Sequence, residues 1–451
     1  MTVGVGGSTP AQALERLRNM MDGAQPIGLA SYRARIAAAQ AWMGEHGIAA
    51  AYLHAGSNLR YFSGVQWHPS ERLVGALLPA EGALEYLAPA FEEGTVRDFQ
   101  VVDGAIHTWE EHQDPYRLLL DRLEALGVGE RSTVALCPSL PFGMFERLRQ
   151  LAPGRNFVSA APLIDQGRMR KSAEELALMQ RAKDMTLEVQ KAAASILREG
   201  ISTTEVAEFI HQAHRKVGAP GSTFCIVLFG AASAFPHGVK HAQVLKDGDM
   251  VLIDTGCQVH GYQSDITRSY VFGTPSARQR EFWGMERDAQ LAAFEAARLG
   301  QPCEAVDAAA RRRRRAAFAG GQRPGAGLPP AWPAAPHRAW HRHGCPRRPV
   351  PGAWRSHAAG CRHVLQQRTD DLRARRVRHS PGGSLLHDGG RTALVHPTEP
   401  VHRRSLRPRR LSRPNDNAAR GKARARASRV RRSDQSSFTR EKSRADIGLM
   451  R

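Results

Sequence analysis

No stretch of the 451 residues comes near the roughly 20 consecutive apolar side chains that a membrane-crossing helix needs. The opening residues, MTVGVGGSTPAQALERLRNM, hold no basic segment leading into an apolar core, so export is not expected and a cytoplasmic location is. Cysteine is scarce. The six residues (Cys137, Cys225, Cys257, Cys303, Cys345 and Cys361) form no CxxC pair, which argues against a disulfide framework and a zinc ribbon. Acidic residues are in short supply at one end: from Arg311 onward there are 8 of the 43, against 35 of the 64 Lys and Arg. The first 310 residues then hold 29 basic and 35 acidic side chains, so the formal charge of +21 describes neither part. A mildly acidic globular portion is joined to a strongly basic one.

The globular portion divides in two. Helical periodicity over 11–23 and 31–47 is followed by short apolar runs at 49–54, 74–80 and 133–137, separated by Gly- and Pro-marked breaks. That alternation predicts an α/β domain over residues 1–165. Ser172 followed by Glu175 is a capping box that opens a long amphipathic helix closing at Gly200, and a further helix runs from Ser202 or Thr203 to about Val217. Runs at 224–230, 249–259 and 267–273 read as antiparallel strands, with helices over 279–298 and from Glu304. Residues 166–311 therefore begin an α+β domain that does not reach its end. After Arg311 the periodicity stops, and residues 312–451 carry 13 of the 27 prolines and nine histidines. That composition predicts a disordered basic tail, able to bind nucleic acid and other polyanions without specificity.

The stretch with chemistry in it is DTGCQVHGYQSD, from Asp254 to Asp265. Two carboxylates on neighbouring strands joined by a tight Gly-containing turn can face one pocket, and a cation there would offset their repulsion. Oxygen-rich sites of this kind suit divalent metals. The alternative is that Asp254 starts a turn and Asp265 caps one; the apolar VLI before Asp254 and Ile266 after Asp265 argue for sheet positions, and the two readings stand about even. His237, in FPHG, is a candidate to hold a substrate carbonyl or shuttle a proton if it faces the same pocket.

RMRKSAEELALMQRA, FPHG and DGDMVLIDTGCQVHGYQSDITRSYVFG together resemble the metallopeptidase family of prolidase, aminopeptidase P, methionine aminopeptidase and creatinase, over about residues 30–311. The resemblance implies a creatinase-like N-terminal domain followed by a catalytic domain of the "pita-bread" fold, truncated here. It implies an Xaa-Pro dipeptidase or aminopeptidase, homodimeric, acting on small peptides with two divalent ions (Mn²⁺, Co²⁺ or Zn²⁺). Asp254 and Asp265 would be two of five metal ligands and His237 the substrate-side histidine. Creatinase-like and lyase-like members share the fold, which leaves the substrate open. The other three ligands, a His in GHG and two Glu, occur in no recognisable motif of this chain.

They are permitted in a neighbouring reading frame. Taking bases two and three of each codon with base one of the next, Pro336 to His343 allows HTGHGIGM, and Gly344 to Val350 allows DVHEGPY. Trp340 has a single codon and forces the Gly after the central His. Gln366 to Asp370 allows SNEPM, and Arg375 to Gly383 allows GEFGIRLED. All three missing motifs thus fit in order, which predicts a frameshift within the Arg311–Arg315 run. His341, His343, Cys345, Cys361 and His363 otherwise make a zinc-like cluster of no usual spacing. A dedicated RNA-binding tail lacks the interleaved aromatics that stack on bases.

Overall fold

In the computed structural model the described residues are 5–235 and 237–320, with three short strands further on. The first domain is a mixed sheet with helices on both faces. After α1 (Pro10–Arg16) and α2 (Leu29–Glu45) come β1 (Ile48–His54), α3 (Ser57–Ser63), β2 (Gly75–Pro79), β3 (Glu85–Pro89), α4 (Glu93–Phe99), β4 (Ile106–Trp109), α5 (Pro115–Ala125), β5 (Thr133–Leu136), α6 (Phe142–Leu151) and β6 (Phe157–Ser159). The strand order is β4-β3-β2-β1-β5-β6. Strands β1, β2 and β3 pair antiparallel, while β4, β5 and β6 join in parallel. The two-residue period of β1 explains the layering. Ala51 and Leu53 face the larger core shared with α2, and Ala50 and Tyr52 face a second core with Leu119, Leu123 and Leu148.

The second domain follows α7 (Ala161–Met169). Helices α8 (Ala173–Ser195) and α9 (Thr203–Lys216) each start at a complete capping box, Ser172 with Glu175 and Ser202 with Glu205. Next are β7 (Phe224–Phe229), β8 (Met250–Gly256), β9 (Gln258–Val259), β10 (Tyr262–Gln263) and β11 (Ile266–Val271), then α10 (Ala277–Ala296) and α11 (Cys303–Gly320). Strand β8 lies centrally, antiparallel to β7 on one side and β11 on the other. Helix α8 packs across this sheet through Leu178, Ala182, Met185 and Val189, all buried in the larger core. Further along the chain are β12 (Val364–Gln367), β13 (Gly383–Asp388) and β14 (Arg391–Leu394), an antiparallel set.

Several elements end elsewhere than the periodicity predicts. Helix α1 stops at Arg16 rather than reaching 23: Leu17 is already extended, and in the turn that follows Asn19 Oδ1 accepts from the Met21 N–H at 2.8 Å. Helix α8 ends at Ser195, five residues before Gly200, whose positive φ serves a later turn. The single strand expected over 249–259 breaks at Cys257, whose N–H is taken by the Ser264 hydroxyl at 2.9 Å instead of a backbone carbonyl. Helix α11 runs through the arginine run to Gly320, beyond the expected end of order at Arg311. Arginine is a good helix former, and Arg311, Arg313 and Arg314 pair with Asp307, Asp288 and Glu286. The strands β12 to β14 also form within the segment whose composition predicts disorder, and the Gly389-Gly390 pair in the sequence between β13 and β14 is a hairpin signal. The rest of the expected tail lies outside the described residues.

Candidate metal centre

Strands β8 to β11 form one long hairpin. Its two-residue tip, His260-Gly261, has φ of 44° and 80°, the paired left-handed conformation that matches the twist of antiparallel strands. Asp254, 4% exposed, sits on the central strand opposite Thr267. The Thr267 hydroxyl donates to Asp254 Oδ1 at 2.8 Å. Asp265 precedes β11, and the pairing Thr255 to Ile266 continued by one residue sets it opposite Gly256. A Cβ at Gly256 would lie 2.0 Å from the Ser264 carbonyl, so glycine is needed where the strands approach most closely. Asp254 and Gly256 share a face, which makes Asp254 and Asp265 diagonal cross-strand neighbours on it, at a backbone spacing of roughly 7–8 Å.

Helix α8 braces this hairpin with polar residues on its buried face. Gln190 Nε2 donates to the carbonyls of Ile253 (3.1 Å) and Ile266 (3.0 Å), the neighbours of the two aspartates. The Thr186 hydroxyl meets Ser264 Oγ at 2.7 Å, and His214 at 3.2 Å. Lys183, 2% exposed, completes the row. Burial pushes its ammonium down to about 8, against the opposing pull of Asp265 and then Cys257, and at neutral pH it remains mostly charged. The same burial raises the Cys257 thiol, so it stays protonated. None of these α8 residues was singled out in the sequence. The signal was present as polar side chains at helical spacing on an otherwise apolar stripe.

The tip is held from the first domain. Arg35 of α2 pairs with Glu175 at 3.4 Å, Tyr262 of β10 donates to the same carboxylate at 3.0 Å, and the Arg35 guanidinium lies over the Tyr61 ring at 4.2 Å. His260 Nε2 approaches the Ala24 carbonyl at 3.2 Å. His237 is exposed, in the loop that follows β7 and a short 3-10 turn over 230–234. Among the described residues no three His, Cys, Asp or Glu side chains converge on one point. The register of the hairpin sets Asp254 and Asp265 on one face, and among the described residues no third such donor joins them. The histidines and cysteines of the zinc-like cluster lie outside the described residues. Among those described, four cysteines are free thiols and no helix is long and apolar enough to cross a membrane.

Known proteins match this arrangement. The creatinase/prolidase N-terminal domain matches residues 35–170, and metallopeptidase family M24 matches residues 177–365. The chain is 31% identical over 278 residues to the putative dipeptidase YkvY of Bacillus subtilis (strain 168), spanning 61% of this chain and 76% of the relative. The chain belongs to metallopeptidase family M24. Among solved structures, this M24 chain is similar to dipeptidase PepE from Mycobacterium ulcerans, with a TM-score of 0.69 and 26% identity over 83% of this chain and 98% of that one. A prolidase from Thermococcus sibiricus shares the fold at a TM-score of 0.69 and 23% identity, over 82% of this chain and 98% of that one.

The M24 resemblance implies two divalent ions, and the described residues do not fit them. Among the described residues no third His, Cys, Asp or Glu side chain joins the two carboxylates, and Asp254 already accepts a threonine hydroxyl. Holding two divalent ions takes several convergent oxygen or imidazole donors.

Proposed function

We propose that this gene specifies a metal-dependent hydrolase of Xaa-Pro peptides, of the dipeptidase or aminopeptidase type, and that the polypeptide as written is an inactive form of it. The observation that carries the reading is the same-face placement of Asp254 and Asp265 on a braced hairpin in an M24 chain. In this reading residues 1–165 are the creatinase-like domain, 166–311 the first half of the catalytic domain, and 312–451 the product of a shifted frame. His237 is the residue assigned to the substrate side, and the working enzyme is a cytoplasmic homodimer using Mn²⁺, Co²⁺ or Zn²⁺. Its remaining ligands are those the neighbouring frame permits. For the chain as written no hydrolytic step follows, because three of five ligands are missing.

The test is nucleotide sequencing across codons 305–320, with assays of a Gly-Pro dipeptide in Mn²⁺ or Co²⁺ for this chain and for the frame-restored one. One gained or lost base is expected, with turnover by the restored chain alone. A neighbouring frame closed by stop codons, or turnover at an ordinary enzymatic rate by the chain as written, overturns the reading. A creatinase-like or lyase-like activity in the restored chain would keep the frame and change the substrate. The rival reading, an arginine-rich polyanion binder on a non-catalytic scaffold, is favoured by the concentration of 35 basic residues from Arg311 onward. RNA binding with sequence preference supports it; salt-sensitive but indiscriminate binding reflects charge alone.

A further inference from the structure

The pairings of Thr255 with Ile266 and of Gln258 with Gln263 set Cys257 opposite Ser264. A hydrogen-bonded pair of a regular antiparallel ladder exchanges two backbone bonds. One is made here, from the Ser264 N–H to the Cys257 carbonyl at 2.9 Å. The other is replaced: the Cys257 N–H goes to the Ser264 hydroxyl at 2.9 Å. That hydroxyl meets Thr186 Oγ1 of α8 at 2.7 Å, and Thr186 Oγ1 meets His214 Nε2 of α9 at 3.2 Å. The other ring nitrogen, Nδ1, meets the Ser222 hydroxyl at 2.8 Å, in the segment that leads into β7. Thr186, His214 and Ser264 are all fully buried. Burial pushes the imidazole down to about 4, so at neutral pH it offers one donor and one acceptor, and the hydroxyl on either side supplies the complement.

We infer that His214 is the positioning residue for this substituted bond: acting through Thr186, it holds the Ser264 hydroxyl on the Cys257 N–H and so keeps the ladder interrupted one residue before Asp265. A hydroxyl turns about its own C–O bond, and Ser264 Oγ also has the Cys257 carbonyl at 3.2 Å and Cys257 Sγ at 3.7 Å within reach. Anchoring Thr186 from its far side removes that choice, because bonds along a buried chain of hydroxyls strengthen one another. The consequence for Asp265 rests on the peptidase reading. The chain of bonds does not, and a closed neighbouring frame would leave it standing.

The test is urea unfolding of the full chain for Ser264→Ala in the parent, in His214→Gln, in His214→Asn and in Thr186→Val, with hydrogen exchange of the peptic fragment carrying Cys257 read by mass spectrometry. Glutamine sets its amide where Nε2 faces Thr186, and asparagine sets its own where Nδ1 faces Ser222. In the parent, Ser264→Ala strands the buried Cys257 N–H and is expected to raise the unfolding constant roughly tenfold. The same change is expected to cost nearly as much in His214→Gln. In His214→Asn and Thr186→Val, where the chain is already cut, it is expected to cost less by about threefold or more. At matched global stability, exchange of the Cys257 fragment is expected to be faster in His214→Asn than in His214→Gln. A Ser264→Ala effect equal in every background overturns the inference, as does a glutamine variant that behaves as the asparagine variant does. If His214→Asn does not fold, His214→Gln and Thr186→Val decide: equal Ser264→Ala effects in those two overturn it.

Discussion

Replacing Arg35 with methionine keeps most of the aliphatic bulk and deletes the charge that joins the first domain to the carboxylate hairpin. The Arg35 and Glu175 side chains are 9% and 4% exposed, so their interaction is little screened by solvent. Arg35 also donates to the Tyr61 carbonyl at 2.9 Å and to the Tyr262 hydroxyl at 3.3 Å. Breaking a buried pair from one side costs about 3–5 kcal/mol, because the remaining charge is stranded. Glu175 would still accept from Tyr262 and from the Ser172 N–H at 2.7 Å, which puts the expected loss near the lower end, about 3 kcal/mol. At about 2–4 °C per kcal/mol for a domain of this size, the melting temperature should fall by roughly 6–12 °C. Glu175→Gln in the Arg35→Met background should cost clearly less than it does alone, since the stranded charge is gone. Arg35→Lys should recover only part of the loss, lacking the planar fork that serves Glu175, Tyr61 and Tyr262 together. Arg35→Met melting within about a degree of the parent, or strict additivity with Glu175→Gln, would refute the reasoning.

Two further outcomes follow from groups held in unusual states. Burial lowers His54 and His214 to about 4. Their unfolded forms bind protons near 6.5, so stability is fully present above that pH and is lost as pH falls toward about 4, by an order of 3 kcal/mol per residue. Urea unfolding from neutral pH downward should show this decline, shallower in His54→Leu; a flat profile would contradict it. Gly261→Ala places a Cβ 1.7 Å from the Arg60 guanidinium carbon at a φ of 80°. It should cost roughly 1–3 kcal/mol through the left-handed backbone, as should Gly47→Ala at a similar φ, because the Arg60 guanidinium is the far end of a flexible side chain and can move aside; no measurable loss of stability in urea would contradict this.

Much of the architecture was legible because it is written locally. Capping boxes at Ser172 and Ser202 depend on residues three apart, and the apolar runs at 49–54, 74–80 and 133–137 match β1, β2 and β5 because strands carry their own signal of period and composition. The hairpin from Asp254 to Asp265 was readable for the same reason, its turn marked by Gly261. What failed were endings and interruptions. The turn after α1 is held by one Asn19 side-chain bond, and the break at Cys257 by a hydroxyl supplied by Ser264 across the hairpin. The continuation of α11 depends on charges presented by α10.

Sequence alone showed that two aspartates stand at the two sides of one hairpin, that a basic segment follows the globular portion, and which motifs the neighbouring frame permits, since these are matters of order along a chain. Only the tertiary structure decided that Lys183, Thr186 and Gln190 meet that hairpin, and that Arg35 and Glu175 clamp it from another domain. Those contacts join residues about 60 to 230 positions apart. No periodicity records such a distance, because it is packing that removes water from between them and gives the buried charges their partners.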